Sequence, residues 1–260
     1  MVEAVSMTGR RSGLRIDRVT TLRLVSVAGA LILWEAIARS GLLYEDVVPT
    51  LEKIVWGVWN LVTDPEFYPH VMVTIREIVL ALAIGGTLGI ICGLVIGGNP
   101  FLAKIFEPLI YYLGPTPKII FLPLLIMWFG IAEGSKIAMG SISTFFPVVL
   151  SVASGMRGIN PVLIRVGRSF RASRTQMAFK IYFPAMREPL INSARLAFGV
   201  SVIGILLSET KFATAGLGFM VTRFYQQFDM PAMYGLIIVI FAFAIMVNSL
   251  LGRFSSSSAF

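Results

Sequence analysis

The sequence predicts an all-α, polytopic integral membrane protein with about six spanning helices. Three observations carry this. Of the 260 residues, 56% are hydrophobic and only 14% charged, whereas a soluble domain carries about 25% charged residues. The apolar residues fall into runs long enough to cross a bilayer, which takes about 20 residues of helix. The Lys and Arg residues behind the net charge of +8 sort by loop and do not mark one face of a soluble domain, so no nucleic-acid partner is indicated.

Taken in order, residues 1–23 form a polar, basic tail with Arg10, Arg11, Arg15, Arg18 and Arg23. Leu24 to Ala38 is the first apolar run, interrupted by Glu35. Ala36-Ile37-Ala38 resembles a signal-peptidase site, so removal of this run as a signal peptide is the alternative to a retained span. Residues 39–70 form a loop in which Glu45, Asp46, Glu52, Asp64 and Glu66 outnumber Arg39 and Lys53. Within it Trp56 and Trp59, with Leu51, Val55 and Val58, predict a short helix at the membrane interface.

Val71 to Ile96 is the second span. It contains Gly85, Gly86, Gly89 and Gly93, and the four-residue spacings leave one face smooth for a close neighbour. Gly97-Gly98-Asn99-Pro100 predicts a tight turn. Phe101 to Gly130 is too long for one straight span, and Pro108, Pro115, Pro117 and Pro123 are expected to break it. Gly114-Pro115-Thr116-Pro117-Lys118 in particular cannot be regular helix. Irregular backbone at membrane depth is tolerated where it is buried in protein or lines a cavity. Lys118 is therefore a candidate at a pathway entrance, with a lysine snorkelling to the interface as the alternative.

Ile131 to Lys136 reads as a short outer turn. Ile137 to Ser154 is the fourth span and carries Ser141, Ser143, Thr144 and Pro147. Ile191 to Ser208 is the fifth, with Arg195 a turn inside, Ser201 at its middle and Glu209 closing it. Residues 209–231 form a second outer loop containing Gly216-Leu217-Gly218. Ala232 to Leu251 is the sixth span. The membrane domain thus covers 24–254, and residues 255–260 are a serine-rich tail.

Between the fourth and fifth spans lies a stretch that cannot enter lipid. From Arg157 to Arg187 it holds Arg157, Arg165, Arg168, Arg171, Arg174, Lys180 and Arg187, and no acid. Each such cation at the centre of a spanning helix costs roughly 2.5–3.5 kcal/mol. With Lys104, Arg195, Arg253 and the tail arginines, these residues place most of the 22 Lys and Arg on one side. The positive-inside rule makes that side cytoplasmic and puts both termini there. Asn160-Pro161 is a helix start. Val162, Val166 and Phe170 then recur every four residues, with Met177 roughly in line, and Arg165, Arg168, Arg171 and Arg174 every three. An amphipathic helix results, ended by a break at Pro184. Such a helix inserts into a groove of a cytoplasmic partner, or rests on anionic lipid.

Chemistry-bearing motifs are missing. There is no G-x-x-x-x-G-K-[ST], no G-x-G-x-x-G after a strand, no G-x-S-x-G and no H-E-x-x-H, so neither nucleotide binding nor catalysis by this chain is indicated. The single Cys92 and single His70 indicate no disulfide and no metal site.

The basic stretch is where a resemblance becomes specific. Gly167-Arg168-Ser169-Phe170-Arg171-Ala172-Ser173, then Phe179 and Phe183-Pro184-Ala185, resembles the coupling-loop signature of ABC-importer permeases, roughly E-A-A-x-x-x-G-A-S followed by L-P-A. Pro115-Thr116-Pro117, the run from Pro123 to Ile131, Ser135-Lys136-Ile137, Phe145-Phe146-Pro147 and Gly216-Leu217-Gly218 occur in the order and spacing of the branch that imports nitrate, sulfonates and taurine. The resemblance covers about residues 30–253. It implies a type I importer fold in a bacterial inner membrane, with a coupling loop over about 157–188. Expected partners are a cytoplasmic ABC ATPase dimer that binds ATP and Mg, a second permease copy or a related permease, and an extracytoplasmic binding protein. No cofactor is expected on this chain.

Carried onto this sequence, the resemblance implies ATPase contacts at Arg165, Gly167, Arg168, Ser169, Phe170, Arg171, Ala172, Ser173 and Arg174, with Pro184 fixing the exit. Pathway candidates are Lys118, Ser141, Ser143, Thr144, Ser201 and Glu209. Three positions depart from the pattern. Arg165 stands where the family has glutamate, Arg171 where it has glycine, and Lys118 where it is apolar. Arg at positive φ is strained. Either the turn at 171 differs, or the ATPase groove differs to match, or this chain pairs with a second, more typical permease. A stand-alone secondary transporter or channel is the alternative from another class; no internal repeat of the kind those often carry is evident.

Overall fold

The computed structural model describes residues 18–41 and 47–256; the first part of the N-terminal tail, Glu45, Asp46 and the last four residues lie outside it. The described residues are helical, with no strand among them. The chain divides into two compact units, residues 1–54 and 55–260.

In the first unit, α1 (Arg18–Arg39) is longer than the apolar run because its polar N-terminal residues continue the helix. Its apolar side chains, Leu24, Val25 and Ile32 among them, are exposed, as suits a helix facing lipid. Glu35 does not lie bare within it. Its carboxylate accepts the Leu51 N–H at 2.9 Å and pairs with Arg39 one turn on. Trp34 donates its indole N–H to the Pro49 carbonyl at 3.0 Å.

The short predicted helix is α2 (Leu51–Thr63), with Trp56 and Trp59 exposed. The second unit is built on α3 (Phe67–Gly98), α6 (Glu133–Arg157) and α10 (Arg187–Phe212), packed side by side. Ala81, Phe198, Val202 and Ile205 fill one part of their core; Val148, Val152, Met186 and Ala197 fill another. The α3 glycines permit the contact. A Cβ on Gly89 would stand 2.8 Å from the Val148 Cβ, and one on Gly93 2.7 Å from the Val152 Cβ, while Gly86 faces open space. α12 (Met230–Ser256) completes the set. Five helices, α1, α3, α6, α10 and α12, are long and apolar enough to cross a membrane, or six if the bent pair described next is one span.

That pair is α4 (Pro100–Leu113) and, after a 3-10 turn over Lys118–Phe121, α5 (Leu122–Phe129), bent by 87°. Several boundaries differ from expectation. Gly97 and Gly98 remain in α3, because Gly97 packs on Ala153 of α6. Asn99 alone makes the turn, its side chain accepting the Phe101 N–H at 2.9 Å. Pro108 sits inside α4 and does not end it; only at 114–117, where two prolines remove two donors within three residues, does the helix stop. Residues 131–136 are not all loop. Gly130 turns the chain at φ 79, α6 starts at Glu133, and the Lys136 ammonium reaches back to the carbonyls of Ile131 and Ala132.

α10 runs beyond both ends of the predicted fifth span, and past its C-terminal end Glu209 finds buried partners. Arg195 donates to Asn248 Oδ1 of α12 at 3.1 Å, and Glu209 is bonded as described below.

Candidate functional site: a basic loop and an apolar cavity

The basic loop begins at the Arg157 end of α6, where Arg157 pairs with Glu107 of α4. Asn160 caps α7 (Pro161–Ser169) by accepting the Val162 N–H at 2.9 Å, with Pro161 in the first turn. α7 ends in a Schellman motif: Arg171 donates to the Arg168 carbonyl at 2.9 Å and Ala172 to the Gly167 carbonyl at 3.0 Å. The first of these two donors is left-handed, Arg171 at φ 50. The turn that glycine would make is therefore kept with arginine in it. Ser173 and Gln176 then form a capping box, each side chain bonding the other's backbone N–H at 3.2 and 2.9 Å.

α8 (Arg174–Met177), a π turn over Ala178–Tyr182 and α9 (Phe183–Ala185) follow. Pro184 does not break the helical course. It lies in the first turn of α9, where a missing N–H costs least, and the widened turn before it absorbs the extra residue; the chain bends at Met186.

The faces of α7 are now definite. Gly167 is buried because Met177 and Ile181 pack on it. Val162, Leu163 and Val166 are exposed, and Phe170 is 82% exposed. Met177 is buried and so does not continue that row, since the turn at 171 redirects the chain. Arg165, Arg168, Ser169, Arg171 and Ser173 are exposed around the row, and Ala172 is half-buried. Arg174 opens α8, and its side chain lies outside the described residues.

A second feature is a cavity of about 790 Å³ between the 114–119 break, α6 and α10. Lys118 is the one charged side chain among the described residues on its wall. Its ammonium donates to the Gly114 carbonyl and lies 5.2 Å from the centroid of the Phe146 ring, a cation–π placement. Ser143 is on the wall with Lys118, as are Pro147 and Ser151, which follow Ser143 at four-residue steps on α6. That spacing was available in the sequence and would have found Ser151.

Four other pathway candidates stand away from this wall. Ser141 lies against Gly85 of α3. The hydroxyls of Thr144 and Ser201 are buried without a hydrogen-bond partner. Glu209 is 1% exposed at the end of α10 far from the basic loop. Its Oε1 accepts the Thr74 hydroxyl at 2.7 Å and its Oε2 accepts the Gly218 N–H at 2.6 Å.

Residues 85–257 match the family described as "Binding-protein-dependent transport system inner membrane component". The taurine transport system permease protein TauC of Escherichia coli (strain K12) is 29% identical over 211 residues, covering 79% of this chain and 77% of the relative. The putative aliphatic sulfonates transport permease protein SsuC of Bacillus subtilis (strain 168) is 28% identical over 73% of this chain and 68% of its own length. The nitrate import permease protein NrtB of Synechocystis sp. is 23% identical, covering 88% and 84%. Among solved structures, the inward-facing MetNI methionine ABC transporter matches with a TM-score of 0.61 at 17% identity, covering 80% of this chain and 96% of that one, so the fold is shared. The chain therefore belongs to the binding-protein-dependent transport system inner membrane components, the non-enzymatic permease subunits of ABC importers.

Proposed function

We propose that the 161–178 loop is the handle by which a cytoplasmic ATPase dimer drives this permease, and that the transported solute is a small organic anion of the sulfonate type. The observation that carries the first part is α7 itself. It leaves Val162, Leu163, Val166 and Phe170 exposed beside Arg165 and Arg168, with no acid between Arg157 and Arg187. An apolar row that projects from a water-facing loop is stabilised by entering a groove, and its cationic border fits a groove edged with acids. ATP and Mg bind on the partner. Closure of the ATPase pair displaces the loop, and differential contacts in the two states tilt the attached helices.

The loop then lies on the cytoplasmic side together with both termini, in a bacterial inner membrane. A second permease, identical or related, faces the open side of the cavity, and an extracytoplasmic binding protein delivers the solute. The turn at Arg171 is kept, which leaves the departures at 165 and 171 to an ATPase groove altered to match or to pairing with a second, more typical permease. The second part rests on the cavity wall, where one cation, Lys118, stands among apolar side chains such as Phe146, Leu150 and Leu207. That suits a single anionic head on an apolar body, in line with the taurine and sulfonate relatives.

The test of the handle is Arg165→Glu with Arg168→Glu. The doubly substituted chain is expected to insert normally, to lose its co-purifying ATPase and to lose uptake at least tenfold. Retention of both by this variant would refute the reading.

A further inference from the structure

At the end of α10 opposite the basic loop, α11 (Leu217–Gln226) is held by side chains from two other helices. The first N–H groups of a helix have no partner within it, and here three successive ones are satisfied from outside. Gly216 N–H donates to His70 Nδ1 at 3.1 Å, Leu217 N–H to Thr74 Oγ1 at 2.8 Å, and Gly218 N–H to Glu209 Oε2 at 2.6 Å. Thr74 closes the set by donating its hydroxyl to Glu209 Oε1 at 2.7 Å. Thr74 and Glu209 are both buried. Gly216 stands at φ 107, a Cβ on it would strike the Glu209 carboxylate, and one on Gly218 would strike the Leu206 carbonyl and the Glu209 Cβ. A carboxylate at a helix N-terminus is also favoured by the helix dipole.

The position of this latch gives it a second meaning. From Arg187 to Glu209, α10 is unbroken, about 33 Å at 1.5 Å per residue. One end meets the basic loop and the other carries Glu209. Only residues 213–216 separate α10 from α11, and the latch removes the freedom a short glycine-containing loop would have. The far end of α11 presents exposed Tyr225, and Phe228 is exposed two residues beyond the helix.

We propose that Glu209 and Thr74 are positioning residues that lock α11 to the lever helix α10, so that displacement of the basic loop at one end is delivered to the outer mouth at the other. This rests on the reading of the loop as the ATPase handle.

The experiment uses the permease assembled with its ATPase in nanodiscs, in a Cys92→Ser background with Tyr225→Cys as a reporter. The labelling rate of position 225 by a maleimide is compared between nucleotide-free and ATP–vanadate-trapped complexes. With the latch intact, the two states are expected to differ at least threefold. Thr74→Val is expected to abolish that difference while the bound ATPase and its basal hydrolysis stay unchanged, and Thr74→Ser to restore it. Thr74→Ala carries the same expectation if Thr74→Val does not insert.

A state difference that persists in Thr74→Val, or that is absent with the latch intact although ATPase is bound and active, overturns the proposal. So does a loss of bound ATPase and basal hydrolysis in parallel with the difference, which would mark Thr74 as merely structural. If no ATPase assembles with the unsubstituted chain, it is the handle reading that fails.

Discussion

Arg171→Gly is the sharpest test of how the basic loop is built. Arg171 occupies the left-handed position of the Schellman motif at φ 50. Left-handed backbone costs an L-residue roughly 1–2 kcal/mol. Glycine removes that strain, but its greater freedom in the unfolded chain returns about 0.5–1 kcal/mol. The balance is about 0.5–1 kcal/mol in favour of glycine, or about a two- to fivefold smaller local opening constant. The reporter is hydrogen exchange at the Ala172 amide, whose N–H bonds the Gly167 carbonyl across the turn. Exchange should slow about two- to fivefold in Arg171→Gly, stay unchanged in Arg171→Lys, and quicken in the β-branched Arg171→Val. Exchange in Arg171→Gly as fast as in the unsubstituted chain, or in Arg171→Val as slow, would refute the strained-turn account.

Three further outcomes follow from the packing and the cavity. Gly93→Leu drives a side chain into Val152 of α6 and should destabilise the helix pair by about 1–3 kcal/mol, read as a lowered melting temperature in detergent, whereas Gly86→Leu, facing open space, should leave it unchanged. Ser173→Ala removes the cap of α8, worth about 1 kcal/mol, and should raise the rate of limited proteolysis within the loop severalfold at unaltered melting temperature. Lys118→Met should reduce uptake of an organic sulfonate in proteoliposomes severalfold at equal expression; an unchanged uptake curve would return Lys118 to the interface-snorkelling role.

Spanning helices and their rough limits were legible because lipid demands apolar runs and excludes the cations of 157–187. The α3 glycine face was legible for the same kind of reason, since a four-residue spacing lines up in any helix. Helix ends were less so. Gly97, Gly98 and Pro108 read locally as breakers, yet packing on Ala153 and the absence of a second nearby proline kept them helical. Met177 fitted the helical row of Val162, Val166 and Phe170, but the left-handed turn at Arg171 ends that helix before it.

Glu209 illustrates what sequence spacing does not contain. Its partners, Thr74 and Gly218, lie 135 and 9 residues away, and only the fold brings them together. As an ionisable residue in a span it was a pathway candidate, whereas its place in the structure is in the hydrogen-bonded seat of α11. Lys118 reaches the cavity wall through the double proline break, which the sequence marks, and Ser143 through the polar face of α6. Ser151 lies two four-residue steps along α6 from Ser143, with Pro147 between them.

The exposed face of α7 is the surface proposed to be gripped by an ATPase. A photo-crosslinking residue placed at position 170, where Phe170 is 82% exposed, tests it most directly in native membranes. One dominant crosslinked product is expected, containing this chain and a protein with a P-loop, and it should be lost in the Arg165→Glu, Arg168→Glu background. Crosslinking from position 170 to lipid alone, at full uptake activity, would contradict it.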